Sequence, residues 1–206
     1  MRNLNTKGFS LIELIVVIAI IGAIAAAGIP NFVSWNADRK VRNASDNTAS
    51  LITTLNTQTQ RGVYPFTQIL ITPGNNLRIE AKGKTKRSIN TLLNGGGNLS
   101  CDIGDDLYWD ESVSTLDFED IFVQFENESA ICFSKNADNY TLEGDIAANA
   151  DLITSDNITI NNYLIFCTSQ DDCDIEPERP AYMVVWSRFG NISKFRYSSQ
   201  NEWIMQ

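Results

Sequence analysis

Few residue types in this chain can do chemistry, and their spacing narrows the field further. There is no histidine among its 206 residues, which removes Ser-His-Asp and Cys-His nucleophilic catalysis and every histidine-ligated zinc site. The four cysteines, Cys101, Cys132, Cys167 and Cys173, all lie in the polar part of the chain. No two are separated by only two to four residues, so a four-thiolate zinc site is a poor fit. The uncharged run from Leu14 to Ala27 reads as a membrane-inserted N-terminus ahead of an exported domain, and an even count there reads as two disulfides. Four cysteines allow three pairings. We favour Cys167–Cys173, which closes a short loop, and Cys101–Cys132, which ties a loop to a strand. Acidic loops flank the cysteines: Asp102, Asp105 and Asp106 near the first, Asp171, Asp172, Asp174 and Glu176 around the last. Calcium takes six to eight oxygens from loops of this kind. Neither cluster has a known ligand spacing, and solvated acidic loops are the commoner explanation. Cations interleave with aromatics near the C-terminus, where Arg188, Lys194 and Arg196 stand among Trp186, Phe189, Phe195 and Tyr197. Such a pattern can grip nucleic acid, although a solvated strand face over an aromatic core is the commoner outcome. A second basic group comprises Arg78, Lys82, Lys84, Lys86 and Arg87. Paired carboxylates could serve glycoside hydrolysis, but nothing singles out two of them. No enzyme and no cofactor is expected.

One more residue stands out by its surroundings. Glu13 is the single charge between residues 9 and 29, within a run of Leu, Ile, Val and Ala. A carboxylate inside a membrane-spanning helix costs about 2.5–3.5 kcal/mol near the centre and less near an end. It therefore needs a partner, and no near neighbour is basic. A cut between Gly8 and Phe9 would supply one. The new α-ammonium of Phe9 in one chain could pair with Glu13 of a neighbour offset along the axis. An unpaired buried charge is heavily penalised, so the pair would set the assembly register.

Lys7-Gly8-Phe9-Ser10-Leu11-Ile12-Glu13 resembles the processing site of type IV pilins and of the pseudopilins of type II secretion: a short basic leader ending in Gly, then Phe, then Glu four residues on. Gly22 and Pro30 fall where that family commonly loosens its helix. The resemblance covers about residues 1 to 60. It implies a leader, 1–8, removed by a prepilin peptidase that also methylates the amine of Phe9. It implies a single-pass protein of the bacterial inner membrane, with its head in the periplasm, drawn by pilus-assembly or secretion machinery into an extracellular pilus or a periplasmic pseudopilus. The partners are other pilin or pseudopilin subunits. A late strand–Gly–strand with arginine further resembles the minor pilin and pseudopilin H subgroup, implying a minor, tip-located subunit. Some minor pilins take up DNA, but the closely spaced Gly-Arg-x-Arg element of that subgroup is missing here. The competing reading is a secreted or singly anchored acidic binding protein.

These residues need elements to hold them. Residues 9–32 read as a transmembrane and assembly helix, about long enough for a 30 Å hydrocarbon core. Residues 33–62 read as its amphipathic continuation, with Ala37, Val41, Ala44, Thr48, Leu51 and Leu55 on one face. Gln60-Arg61-Gly62 has the form of a helix end. Gly22 and Pro30 predict a bend or an opening. Residues 63–206 read as a β-rich head, with strands over 66–71, 77–81, 118–125, 130–134, 158–168, 181–187 and 192–197, the last two forming a hairpin around Phe189-Gly190-Asn191. Residues 135–157 read as a long loop. The fold class is α+β: a long N-terminal helix, its first half spanning the membrane, packed on an antiparallel sheet head. A net charge of −9 argues against a protein that coats nucleic acid through bulk charge.

Overall fold

The computed structural model describes residues 10–104, 108–135, 138–154, 157–171 and 173–206. The chain divides into two units, Met1–Ala37 and Asp38–Gln206. One helix, α1 (Leu11–Arg61), accounts for the described part of the first unit and the start of the second. It runs without interruption through Gly22 and Pro30. The opening expected there is therefore absent: a single proline removes one backbone donor, and the turns on either side keep their own bonds. The helix ends as its sequence foretold. Gly62 has φ +75°, and the amides of Gly62 and Val63 close back on the carbonyls of Thr59 and Gln58.

In the first unit the large side chains of α1 are exposed, among them Leu11, Ile12, Leu14, Ile18, Ile21, Ile24, Phe32 and Trp35. Among the described residues no helix is long and apolar enough to cross a membrane. Within this stretch of α1 the side chains of Ala27, Gly28, Pro30 and Asn31 lie outside the described residues.

The second unit is built around the remainder of α1. Its strands are β1 (Phe66–Thr72), β2 (Asn76–Lys84), β3 (Glu111–Glu119), β4 (Phe122–Val123), β5 (Ser129–Ser134), β6 (Thr141–Gly144), β7 (Leu152–Ile153), β8 (Thr159–Ile160), β9 (Tyr163–Cys167), β10 (Tyr182–Trp186), β11 (Ile192–Tyr197) and β12 (Trp203–Met205). A second helix, α2 (Lys86–Asn94), follows β2. Two five-stranded antiparallel sheets form, in the orders β3-β2-β1-β5-β6 and β12-β11-β10-β9-β4, and β7 pairs with β8. The central register sets Ile69 against Ala81 and Ile131 in the first sheet, and Val184 against Lys194 and Leu164 in the second.

Alternation along the strands decides where the core sits. Ile69, Ile71, Leu77, Ile79, Ile131 and Phe133 of the first sheet, and Leu164, Phe166, Val184 and Trp186 of the second, pack with Val41, Ala44, Ile52 and Leu55 of α1 in one cluster. Burying each of the larger side chains contributes about 1.5–3 kcal/mol. The buried helix face includes the expected Val41, Ala44, Thr48, Leu51 and Leu55 and is widened by Ile52 and Thr59. The hydroxyls of Thr48 and Thr59 donate to the carbonyls of Ala44 and Leu55 and so enter the core satisfied.

The other face of each sheet has its own cover, and each cover carries a disulfide. On the first sheet, Phe66, Leu70, Ala130 and Cys132 meet Ile89 of α2, Cys101 and Trp109. On the second, Tyr163, Ile165, Met183, Phe195 and Tyr197 meet Leu152, Cys173 and Trp203. The pairs are Cys101–Cys132, with Cα atoms 5.8 Å apart, and Cys167–Cys173, at 5.6 Å. The stretch expected as one long loop, 135–157, instead holds β6, a 3₁₀ turn over Asp145–Ala148 and β7. Their short lengths leave almost no periodicity to read.

Candidate functional site

Glu13 lies in the first turn of α1, a position where a carboxylate complements the helix dipole. The apolar side chains around it, Leu11, Ile12, Leu14 and Val16, are exposed. The segment therefore presents a greasy, single-charge surface with nothing covering it among the described residues. Its expected counter-charge, the amine of Phe9, and the cleavage residue Gly8 lie outside the described residues. A Cβ built on Gly22 meets nothing within 4 Å, so no contact within the chain requires a glycine there.

In the head, the sequence-predicted cations go to separate tasks. Lys194 points its ammonium at Asp46 of α1, 2.6 Å away, and Arg42 stands 3.8 Å from the same carboxylate. The Arg188 guanidinium lies 4.9 Å from the ring of Phe189, on an exposed turn. Arg196 is exposed and lies near Tyr182, where its charge and that of Arg42 favour the phenolate. Burial nevertheless dominates, and with the hydrogen bond to Asp38 it pushes the Tyr182 hydroxyl up from its ordinary value. The other basic group is divided as well. Lys82 and Lys84 are buried, and Lys84 donates to the Tyr108 carbonyl while its ammonium lies over the Tyr108 ring. Lys86 and Arg87 remain exposed on α2.

What the side chains do build is a set of pins between α1 and the strands. The Tyr182 hydroxyl donates to Asp38 at 3.0 Å. Lys40 pairs with Asp120 at 2.9 Å, on the turn between β3 and β4. Lys194 takes Asp46. The Asn56 amide donates to the Phe189 carbonyl in the β10–β11 turn. That turn is closed by Gly190 donating to the Ser187 carbonyl and Ser187 donating to the Asn191 carbonyl. Gly190 has φ +76°, and a Cβ there would lie 2.3 Å from the Asn56 side chain. Only glycine allows both the conformation and the approach.

The Cys167–Cys173 loop is anchored by Gln170, whose amide donates to the Val123 carbonyl at 3.0 Å. The Trp203 indole donates to the Ile175 carbonyl, joining the following segment to β12. Of the calcium candidates, Asp174 accepts from the amide of Glu176 at 2.8 Å, Asp171 is exposed, and Asp172 lies outside the described residues. Among the described residues no group of three or more metal-ligating side chains converges. Two grooves border α1. One is lined by Asp46, Ala49, Ser50, Thr53, Lys194 and Met205. The other is lined by Asn47, Ser50, Thr54, Gln58, Val113 and Leu116.

Sequence reasoning missed the pins of Asp38, Lys40, Asp46 and Asn56. Asp38 and Asp46 sit 144 and 148 residues from their partners, too far for any local pattern to register.

Comparison with known proteins adds weight at one end of the chain. Residues 3–29 match the family described as "Prokaryotic N-terminal methylation motif". A protein of Myxococcus xanthus (strain DK1622) named "Type IV major pilin protein PilA" is 47% identical over 51 residues, covering 25% of this chain and 23% of that protein. The match thus spans less than a quarter of that relative's length. No solved structure matches the chain. The likeness is confined to the N-terminal segment, which carries the methylation motif and is similar to the corresponding part of that pilin.

Proposed function

We propose, from a premise of a type IV pilin N-terminus, that this chain is a structural subunit of a type IV pilus or a type II secretion pseudopilus. It waits in the inner membrane as a precursor. A prepilin peptidase cuts after Gly8 and methylates Phe9, and the assembly or secretion machinery then draws the subunit into a filament. The observation that carries this reading is the methylation motif over residues 3–29, joined to an α1 surface whose apolar side chains lie exposed around the lone Glu13. Such a surface is stable only against lipid or against other helices of the same kind. In the membrane it faces lipid. In the filament it faces neighbouring subunits, where Glu13 meets the Phe9 amine. The likeness to the H subgroup favours a minor place in the filament and the named relative a major one, and the structural role is common to both. Pilin-like subunits of this kind act by assembly, with no catalytic step.

Glu13→Gln tests the reading. Membrane insertion should persist, because the substitution removes a charge that is costly in lipid. Cleavage after Gly8 should persist too. Entry into sheared filaments should fail, because the Phe9 ammonium is then buried without a counter-charge, at a cost of several kcal/mol per subunit. Mature Glu13→Gln protein present in filaments at the wild-type level would contradict the pairing. A wild-type chain absent from membranes and filaments alike would contradict the proposal itself.

A further inference from the structure

The two large sheets of the head leave open edges, and two of these lie beside α1. Among the described residues, β3 has a strand neighbour only in β2, and β12 only in β11. The groove between α1 and β3 and the groove between α1 and the β11–β12 edge share Ser50, so the open edges stand on either side of one exposed helix stripe. An open edge offers a row of unpaired amides and carbonyls, and soluble proteins usually blunt such rows with charge. Here the two edges differ in chemistry: β12 is apolar with Arg196 of β11 beside it, and β3 is acidic. β12 exposes Ile204 and Met205, and Ile204 faces Arg196 across the strand pair. A cavity of about 390 Å³ lies there, lined by Arg196, Ser198, Gln200, Ile204 and Met205. Lys194, two residues earlier, is committed to Asp46. Arg196 has no ion pair among the described residues. β3 exposes Asp117 and Glu119. Asp117 stands opposite Arg78, which partly compensates it, whereas Glu119 stands opposite the neutral Asn76.

We propose that the β12 edge of one copy, with Arg196 and Ile204, receives the β3 edge of a second copy, with Asp117 and Glu119. Backbone bonds between the strands supply contact, and the Arg196–Glu119 attraction together with the apolar pair on β12 sets which edge meets which. The joined surfaces are different patches, so the contact is head-to-tail. Each copy keeps one edge free, and such contacts repeat along a helix rather than closing a dimer. The inference deepens the proposed function and rests on it: the helices drive assembly, and the sheet edges dock neighbouring heads. It requires adjacent copies, which excludes a single tip copy.

Cross-linking of the full chain in its filaments tests this. Thr115→Cys is placed on β3 and Ile204→Cys on β12, both at exposed positions. Filaments carrying the double variant are treated with a short bismaleimide. The native cysteines are all paired and do not react. The expected result is a ladder of dimers, trimers and higher species for the double variant and monomer for either single variant. Monomer alone from a double variant that enters filaments at the wild-type level overturns the inference, and so does a dimer from either single variant. A charge exchange covers the case in which the double variant does not assemble. Arg196→Glu and Glu119→Lys should each lower the copies per filament about fivefold, the size expected for one reversed pair, and the combination should restore them. A combination no better than the single variants overturns the inference. Loss of the wild-type chain from filaments, in contrast, marks failure of the proposed function itself.

Discussion

Gly190→Ala should cost the head far more than the loss of one glycine suggests. Gly190 lies at φ +76°, where an alanine loses roughly 1–2 kcal/mol. Its new Cβ would also lie 2.3 Å from Cγ and 2.4 Å from Nδ2 of Asn56. The Asn56 side chain must then withdraw from the Phe189 carbonyl that it holds, a loss of about 1 kcal/mol. The expected total is about 2–3 kcal/mol. The second component belongs to Asn56, so the two substitutions should not add. Asn56→Ala alone should cost about 1 kcal/mol, and Gly190→Ala placed on it should cost only the backbone component. The resulting coupling, near −1 kcal/mol, lies within the range seen for residues in contact. Urea titration of the purified full chain in detergent, followed by the fluorescence of its four tryptophans, measures all four corners of the cycle. Additive costs, or a Gly190→Ala variant within 0.5 kcal/mol of wild type, would refute the reasoning that α1 clamps the hairpin turn at this point.

Other outcomes follow from the same geometry. Replacing each disulfide by paired alanines should separate the two by loop length: with 31 residues spanned by Cys101–Cys132 and 6 by Cys167–Cys173, chain entropy alone predicts losses of about 3.7 and about 2.2 kcal/mol. Equal denaturation midpoints for the two variants would contradict that ordering. Lys194→Met should leave Asp46 facing only the more distant Arg42, with a loss of about 1 kcal/mol because the pair is part-exposed; a double-mutant cycle with Asp46→Asn checks it. At Asp110 desolvation is the largest single influence and raises the pKa, but the Thr85 amide, the Ser88 and Thr85 side chains and the charge of Lys84 together outweigh it and lower the pKa. Its folded pKa thus lies below the ordinary 3.8, so its contribution is present above that pH and is lost as pH falls through the folded value. Acid unfolding of Asp110→Asn should lack this component, and identical pH profiles for variant and wild type would contradict it.

The helix and the inner strands were legible because their hydrophobic periods are long. The 3–4 spacing from Val41 to Leu55 and the dense β-branched and aromatic runs of β1, β9 and β10 each dictate one element. β3 was hidden because Ser112, Thr115, Asp117 and Glu119 face solvent on an edge strand. Its alternation therefore looks polar, and the apolar pattern starts only at Phe118. β12 is too short to show a period. α2 is obscured for another reason: Lys84, Lys86 and Arg87 read as a charge cluster. Its limits were nonetheless written in the sequence, with Thr85 capping Ser88 and a Gly95-Gly96-Gly97 run at its end. The N-terminal motif was the most legible feature of all, because a lone acid in an apolar run and a Gly-Phe junction are local signals. The contacts that fix α1 to the head are tertiary, and their polar residues look on the helix like an ordinary solvated face. The cations near the C-terminus show the converse. Their interleaving with aromatics suggested a nucleic-acid grip, whereas folding gives Lys194 to Asp46 and sets Arg188 over Phe189.

The central claim is that residues 1–8 are a leader and that the mature chain begins at Phe9. Mass spectrometry of the N-terminal peptide, from protein isolated from membranes and from sheared filaments, tests it most directly. The account predicts a chain that starts at N-methylated Phe9 in both fractions. A chain that retains Met1, or one that starts near Gly28 as an ordinary signal peptide would leave it, would contradict the account.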